Sequence, residues 1–290
     1  MKFTKMHGLG NDYVYVDGRA EAVPDPAALA RRLSDRHRGV GGDGLIIIRP
    51  PSSPEFACRM EMYNADGSRS EMCGNGIRCL GKYLLDRARA NGPMVRIETD
   101  AGPRDLTLKG TGRDGRVDLI EVDMGEPRLA RAEVPLWDGG PPESTALEVP
   151  LRADGRTVPV TALSMGNPHC VVRVLGNEPF GQPLRDLDLA SLGPPLEHHP
   201  SFPQRTNVEF AEALSPEEID CRVWERGSGE TQACGTGACA VVVAGVLGGW
   251  CARSATVHLP GGELKIRWDE TSGHVYMTGP AVEVFSGEIR

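Results

Sequence analysis

The sequence predicts an α/β protein of the α+β type, made of two pseudo-symmetric domains in which mostly antiparallel strands outnumber helices. Three observations lead there. The 290 residues are about twice the usual domain length. Short alternating apolar and polar runs, bounded by glycine, proline and polar turns, dominate the chain. A C-G-x-G motif, Cys73 to Gly76, recurs 161 residues later at Cys234 to Gly237, each time between a strand-like run and an apolar helix.

The elements justify this in order. Phe3 to Met6 and Tyr13 to Val16 read as short strands, the second with alternating aromatic and β-branched residues. Asp25 to Arg36 reads as a helix with Pro26 in its first turn, stopping before the glycines of GVGGDG. Leu45 to Ile48 and Phe56 to Tyr63 are strands. Ile77, Leu80, Leu84, Leu85 and Ala88 then fall on one face of a helix running to Ala90 and closed by Asn91-Gly92-Pro93. Val95 to Val122 reads as β-hairpins, and the proline-rich Val134 to Pro150 as a boundary or insertion. Val158 to Leu163 and Cys170 to Leu175 are strands, and Gln182 to Gln204 is loop with a turn of helix. Val208 to Ala211 and Ile219 to Trp224 are strands again. Ala238 to Leu247 is apolar nearly all round, as a fully buried helix would be, with a buried strand as the competing reading because of its three successive valines. Ala255 to Val284 alternates like antiparallel strands.

A second correspondence supports duplication: Gly10-Asn11 and Gly166-Asn167 each precede a strand, in the same order relative to the motifs. Composition narrows the function classes. The 36 glycines and 23 prolines show no collagen period and sit beside 40% hydrophobic residues, against wholesale disorder. A net charge of −8 with interleaved signs argues against nucleic-acid binding. No apolar run is long enough to span a membrane, and the opening MKFTKMHGLGND lacks the core of a secretory leader. Eight dilute cysteines fit a reducing cytoplasm better than a disulfide scaffold, and none forms the C-x-x-C pair of a structural zinc site, so no metal is expected.

The repeated motif carries the chemistry. A cysteine just ahead of a helix lies in the positive field of the helix N-terminus, which favours the thiolate and lets it act as a base. The glycines let backbone N–H groups approach a carboxylate or a developing enolate. Two such units, one on each face of a carbon, suit two-base racemisation, with one thiolate removing the α-proton and the other thiol returning one. The other six cysteines read as packing residues.

The chain resembles the diaminopimelate epimerases in MHGLGND (Met6 to Asp12), RHRGVGGDG (Arg36 to Gly44), YNADGSRSEMCGNGIRC (Tyr63 to Cys79), GNPHCV (Gly166 to Val171), RTNVEF (Arg205 to Phe210) and ERGSGETQACGTGACA (Glu225 to Ala240). The resemblance implies that each domain is an antiparallel sheet wrapped around a central helix, with the active site between domains, no cofactor, and a homodimer. It implies halves of residues 1–126 and 127–280, with the final strand 281–290 rejoining the first. It implies Cys73 and Cys234 as the acid/base pair, and the backbone of Gly74, Asn75, Gly235 and Thr236 as donors to the carboxylate at the reacting carbon. Asn11, Asn64, Asn167, Asn207, Glu225 and Arg226 match residues that hold the rest of the substrate, diaminopimelate. His169 and Glu225 match groups that tune the thiols. Gly44 departs from relatives that carry a substrate-contacting glutamine there. Proline or hydroxyproline is the nearest alternative substrate, and a non-catalytic amino-acid-binding module, which would not need the thiols, is the rival from another class.

Overall fold

A computed structural model describes residues 1–87, 92–176 and 178–289. The chain divides into two compact units, Met1–Asp123 with Thr278–Arg290, and Met124–Met277.

The first unit runs β1 (Lys2–Gly8), β2 (Asn11–Asp17), α1 (Pro26–Ser34), β3 (Gly44–Arg49), β4 (Cys58–Asn64), β5 (Arg69–Ser70), α2 (Gly74–Arg87), β6 (Met94–Glu98), β7 (Arg104–Thr111) and β8 (Val117–Asp123). The second runs β9 (Ala146–Ala153), β10 (Arg156–Ser164), β11 (Pro168–Arg173), α3 (Leu189–Glu197), β12 (Asn207–Ser215), β13 (Glu218–Glu225), β14 (Gly229–Thr231), α4 (Gly235–Leu247), β15 (Ser254–Leu259), β16 (Gly262–Trp268) and β17 (Val275–Pro280), within which the chain returns to the first unit. β18 (Val282–Glu288) closes the chain.

The internal pairings of the units match strand for strand. β1 pairs antiparallel with β2, β2 parallel with β3, β3 antiparallel with β4, β4 with the short β5, and β4 parallel with β6, which turns back into β7. β10 to β16 repeat that order and sense: antiparallel β10–β11, parallel β11–β12, antiparallel β12–β13, short β14, parallel β13–β15, antiparallel β15–β16. The outer neighbour of the leading strand differs in origin. β10 takes the preceding β9, whereas β1 takes the C-terminal β18.

Each sheet wraps its own helix. α2 packs on β1, β2, β6, β7, β8 and β18, and α4 on β10, β11, β12, β13, β15 and β16. α4 is buried from Gly237 through Gly245, which decides for the helix reading over the strand. Small residues permit this, since a helix enclosed by strands has no polar face to give to water. α2 also buries polar groups, which are satisfied inside: Lys82 bonds the Val117 carbonyl and pairs with Asp86 at 2.9 Å. Its expected course through Ala90 to Asn91 lies outside the described residues.

Gln182 to Gln204 departs from the expected loop, because it contains the nine-residue helix α3. Asp188 caps its start, accepting from Ala190 N at 3.1 Å, and Leu189, Leu192 and Leu196 form an apolar stripe that holds Pro194 and Pro195 in helical conformation. α3 follows β11 as α1 follows β2, so duplication predicts a helix here although local composition reads as loop. Gly193 is required by contact, since a Cβ there would come within 2.3 Å of Trp224 Cγ. The proline-rich stretch 134–150 lies inside the second unit, and β9 begins within it at Ala146.

Leu80 is fully buried in α2 against the surrounding strands. Leu80→Ala is expected to lower stability by about 2–5 kcal/mol, read as a shifted urea midpoint with unchanged slope.

Candidate active site

Each unit builds its centre at the start of its enclosed helix. Gly76 N–H donates to Cys73 Sγ at 3.4 Å and Ile77 N–H to the Cys73 carbonyl at 2.9 Å. In the second unit Gly237 N–H donates to Cys234 Sγ at 3.4 Å and Ala238 N–H to the Cys234 carbonyl at 3.0 Å. The cysteine is therefore the N-cap residue, its sulfur taking the place usually filled by a serine or aspartate oxygen. The glycines lie inside the first turn rather than ahead of the helix, as the motif alone suggests. That turn is where backbone N–H groups lack acceptors within the helix and can meet an anion.

The second glycine of each motif is fixed by close packing. A Cβ on Gly76 would lie 2.7 Å from Ile46 Cδ1, and one on Gly237 2.7 Å from Glu209 Oε1. Ile46 and Glu209 occupy corresponding places on β3 and β12, each two residues beyond the first residue of its strand to pair with β2 or β11. Both are fully buried.

In the first unit Cys73 Sγ donates to Asn11 Oδ1 at 3.3 Å, and Asn75 Nδ2 reaches the same oxygen at 3.4 Å. The amide of Asn11 is oriented from behind, because its Nδ2 donates to Asp43 Oδ2 at 2.7 Å. Asp43 is itself held by Asp12 N–H and by Arg36. Asn75 is braced by Arg78, a fully buried guanidinium whose Nη2 donates to Asn75 Oδ1 at 2.8 Å. Burial, then the nearby Cys73 sulfur, push the Tyr13 hydroxyl well above the usual phenol range. Asn64 stands apart from this cluster, its Nδ2 on Ser68 Oγ at 3.0 Å.

In the second unit Cys234 Sγ and Thr236 Oγ1 are 3.4 Å apart, and Asn167 Nδ2 donates to Thr236 Oγ1 at 3.3 Å. His169 lies behind them, Nε2 at 3.0 Å from Asn167 Oδ1 and Nδ1 at 2.7 Å from Glu209 Oε1. Asn207 accepts Arg226 N–H at 2.9 Å and donates to the Pro168 carbonyl at 3.0 Å, so it ties β11 to the loop after β13. Arg226 Nη1 donates to the Gln204 carbonyl, and Thr231 Oγ1 donates to Glu225 Oε1 at 2.5 Å. The structure thus gathers Cys73, Asn11 and Asn75 in one cluster, Cys234, Thr236, Asn167 and His169 in another, and Asn207 with Arg226 beside the latter.

Sequence reading missed Asp43, Arg78 and Glu209. All three lie inside the family-like motifs, and period-2 alternation puts Glu209 on the same strand face as Asn207, which is the signal that could have found it. The backbone at Gly44 passes Tyr63 so closely that a Cβ would sit 2.2 Å from its carbonyl oxygen, which explains glycine there.

The helix N-terminus was expected to lower both thiols, and for Cys234 the balance goes the other way. Burial, then the Glu225 and Glu209 carboxylates, push it well above the ordinary thiol range, against the hydrogen bonds from Thr236 and Gly237.

The fold is shared with a probable proline racemase from Agrobacterium radiobacter, at a TM-score of 0.67 and 15% identity over 100% of this chain and 92% of that one. The diaminopimelate epimerase family pattern matches residues 3–130 and 161–284. A protein named diaminopimelate epimerase from Acetivibrio thermocellus is 50% identical over 289 residues, covering 100% of this chain and 98% of the relative. Another so named, from Pelotomaculum thermopropionicum, is 52% identical over 290 residues, covering 99% and 98%. Fold and relatives together define an isomerase acting as an epimerase. The chain belongs to the diaminopimelate epimerase family, as its motifs suggest.

Because its pKa is raised, Cys234 in ligand-free protein is expected to be protonated at neutral pH, and its alkylation by iodoacetamide to keep accelerating beyond the pH at which an ordinary thiol, with a pKa of about 8.5, levels off. Peptide mapping of the alkylated protein checks this; a plateau below about pH 8 would contradict it.

Proposed function

We propose that the chain interconverts L,L- and meso-2,6-diaminopimelate by two-base proton exchange at one α-carbon, with Cys73 and Cys234 as the acid/base pair, in the supply of lysine and peptidoglycan precursors. The observation that carries this reading is the duplicated cysteine N-cap, in a chain about half identical to proteins named diaminopimelate epimerase.

One thiolate takes the α-hydrogen as a proton, leaving the electron pair delocalised into the carboxylate as an enolate. The other thiol delivers its proton to the opposite face, so the substrate is inverted and the two sulfurs have exchanged protonation states. The enolate is the charge to be stabilised, and N–H groups at Gly74, Asn75, Gly235 and Thr236 are the donors we assign to it. The substrate α-ammonium acidifies the α-carbon and, as a nearby cation, favours a thiolate that burial alone disfavours. Asn11, Asn64, Asn167, Asn207, Glu225 and Arg226 hold the rest of the zwitterion, for which a guanidinium and amides supply suitable donors and acceptors. His169 and Glu225 tune the thiols. The chemistry asks for no cofactor, and the reduced thiols suit the cytoplasm.

Reduced protein incubated with L,L-diaminopimelate in deuterated water, without added cofactor or metal, is expected to yield the meso isomer carrying deuterium at one α-carbon. Cys73→Ala and Cys234→Ala are each expected to slow this by about a thousandfold or more. Absence of exchange, or equal turnover after either substitution, rejects the reading, and faster exchange with proline would reassign the substrate.

We also propose a homodimer, supported by the outward side chains of β18, where Val284 is 53% and Phe285 47% exposed. Sedimentation is expected to give twice the chain mass, and Val284→Asp to shift the protein to monomer.

A further inference from the structure

The duplicated sites differ in one respect that their shared backbone does not require: the two motif asparagines present opposite ends of their amides. Asn11 turns its oxygen to Cys73 and its nitrogen to Asp43. Asn167 turns its nitrogen to Thr236 and its oxygen to His169. The group behind each asparagine accounts for the difference, since a carboxylate can only accept from the amide nitrogen, whereas a ring N–H can only donate to the amide oxygen.

Hydrogen positions in the second unit follow link by link. Asn167 Oδ1 is an acceptor, so His169 Nε2 carries hydrogen. The 2.7 Å separation of His169 Nδ1 and Glu209 Oε1 holds a second proton. The pair is therefore neutral as a whole, whichever of the two atoms keeps that proton. Thr236 Oγ1 accepts from Asn167 Nδ2, and we assign its own hydrogen to Cys234 Sγ, 3.4 Å away. The sulfur thus accepts from both Thr236 and Gly237. Cys73 likewise accepts from its motif glycine, Gly76, but towards the motif asparagine its thiol is a donor, to Asn11 Oδ1.

Glu209 stands at the origin of this chain. It is fully buried, its Oε2 has no hydrogen-bond partner among the described residues, and His169 is the group that its Oε1 meets. The other titratable groups facing it are the thiols of Cys170, Cys221 and Cys234, all with raised pKa values and hence proton-bearing at neutral pH. A buried carboxyl so placed costs stability unless it does something for its partner. Ile46 fills the corresponding place in the first unit, so packing against the motif glycine does not require a carboxyl.

We propose that Glu209 is a positioning residue which, through His169, orients the Asn167 amide and the Thr236 hydroxyl so that Cys234 is held as a hydrogen-bond acceptor while Cys73 is held as a donor. The two thiols are thereby made unequal before substrate arrives. The inference rests on Cys234 being one of the working thiols of the proposed reaction, but its test reads the sulfur without turnover.

Glu209→Gln keeps the shape of the side chain and removes the proton shared with Nδ1. With the oxygen of the new amide facing Nδ1, His169 donates to it from there, leaves Nε2 bare, and the Asn167 amide turns over, withdrawing the Thr236 hydrogen from sulfur. Alkylation of Cys234 by iodoacetamide at pH 8 is expected to slow about tenfold, the effect of losing one hydrogen bond to a charged sulfur, with Cys73 changing less than about twofold. Thr236→Val is expected to slow Cys234 equally, and the double variant to be no slower than Thr236→Val alone. Unchanged alkylation in Glu209→Gln, additive effects in the double variant, or acceleration of both cysteines as packing loosens would each overturn the proposal. If Glu209→Gln does not fold, the unmodified protein still decides by NMR. Nuclear Overhauser contacts of the Asn167 side-chain amide protons are expected to Thr236, and contacts to the His169 ring instead would overturn it. A normal alkylation pattern in a protein without epimerase activity would reject the proposed reaction and leave this assignment standing.

Discussion

A backbone N–H donating to a cysteine sulfur at the mouth of an enclosed helix is the contact on which the rest of this architecture depends. A helix wrapped by strands cannot satisfy its first-turn N–H groups with bulk water, so they must be met by a cap or by a ligand. Cys73 and Cys234 meet the third of these groups, at Gly76 and Gly237, and the turn ahead of it stays available to an anion. The glycines let that turn lie directly on the neighbouring strand, and the small residues of α4 let the sheet close around it. Structure and the proposed chemistry therefore share one device, since the residue that caps each helix is also the thiol to which we assign the proton transfer.

Duplication has preserved the backbone demands of this device and released the side chains behind it. Tyr13 and Ile46 back the first motif; His169 and Glu209 occupy the corresponding places behind the second. One pair is a phenol and a hydrocarbon, the other an imidazole hydrogen-bonded to a buried carboxyl. The two-base reaction we propose begins each turnover with one acidic and one basic sulfur and gains from such inequality, because two identical surroundings would leave the choice to chance.

Opposing forces set the thiol of Cys234. A helix N-terminus and two hydrogen bonds favour its charged form, while burial and the Glu225 and Glu209 carboxylates disfavour it, and the second group prevails in the ligand-free protein. The same burial that disfavours the resting thiolate would strengthen the effect of the ammonium group of the proposed substrate, since charges interact strongly where water is scarce.

The duplication, the strands and helices apart from α3, β9 and the short β5 and β14, and the cysteines with their glycines were legible in the sequence, because these depend on local periodicity and on backbone positions that tolerate few residue types. α3 was hidden by Pro194 and Pro195, whose local preference is overridden by Leu189, Leu192 and Leu196 packing into the core. Only the tertiary structure decided that β18 supplies the outer neighbour of β1, that Arg78 braces Asn75, and that Asn11 and Asn167 face opposite ways. The same holds for the direction in which the Cys234 thiol is shifted. These are properties of groups distant in sequence brought within hydrogen-bonding reach in a place without water, and the energy of a buried donor, acceptor or charge depends on the partner that stands opposite it.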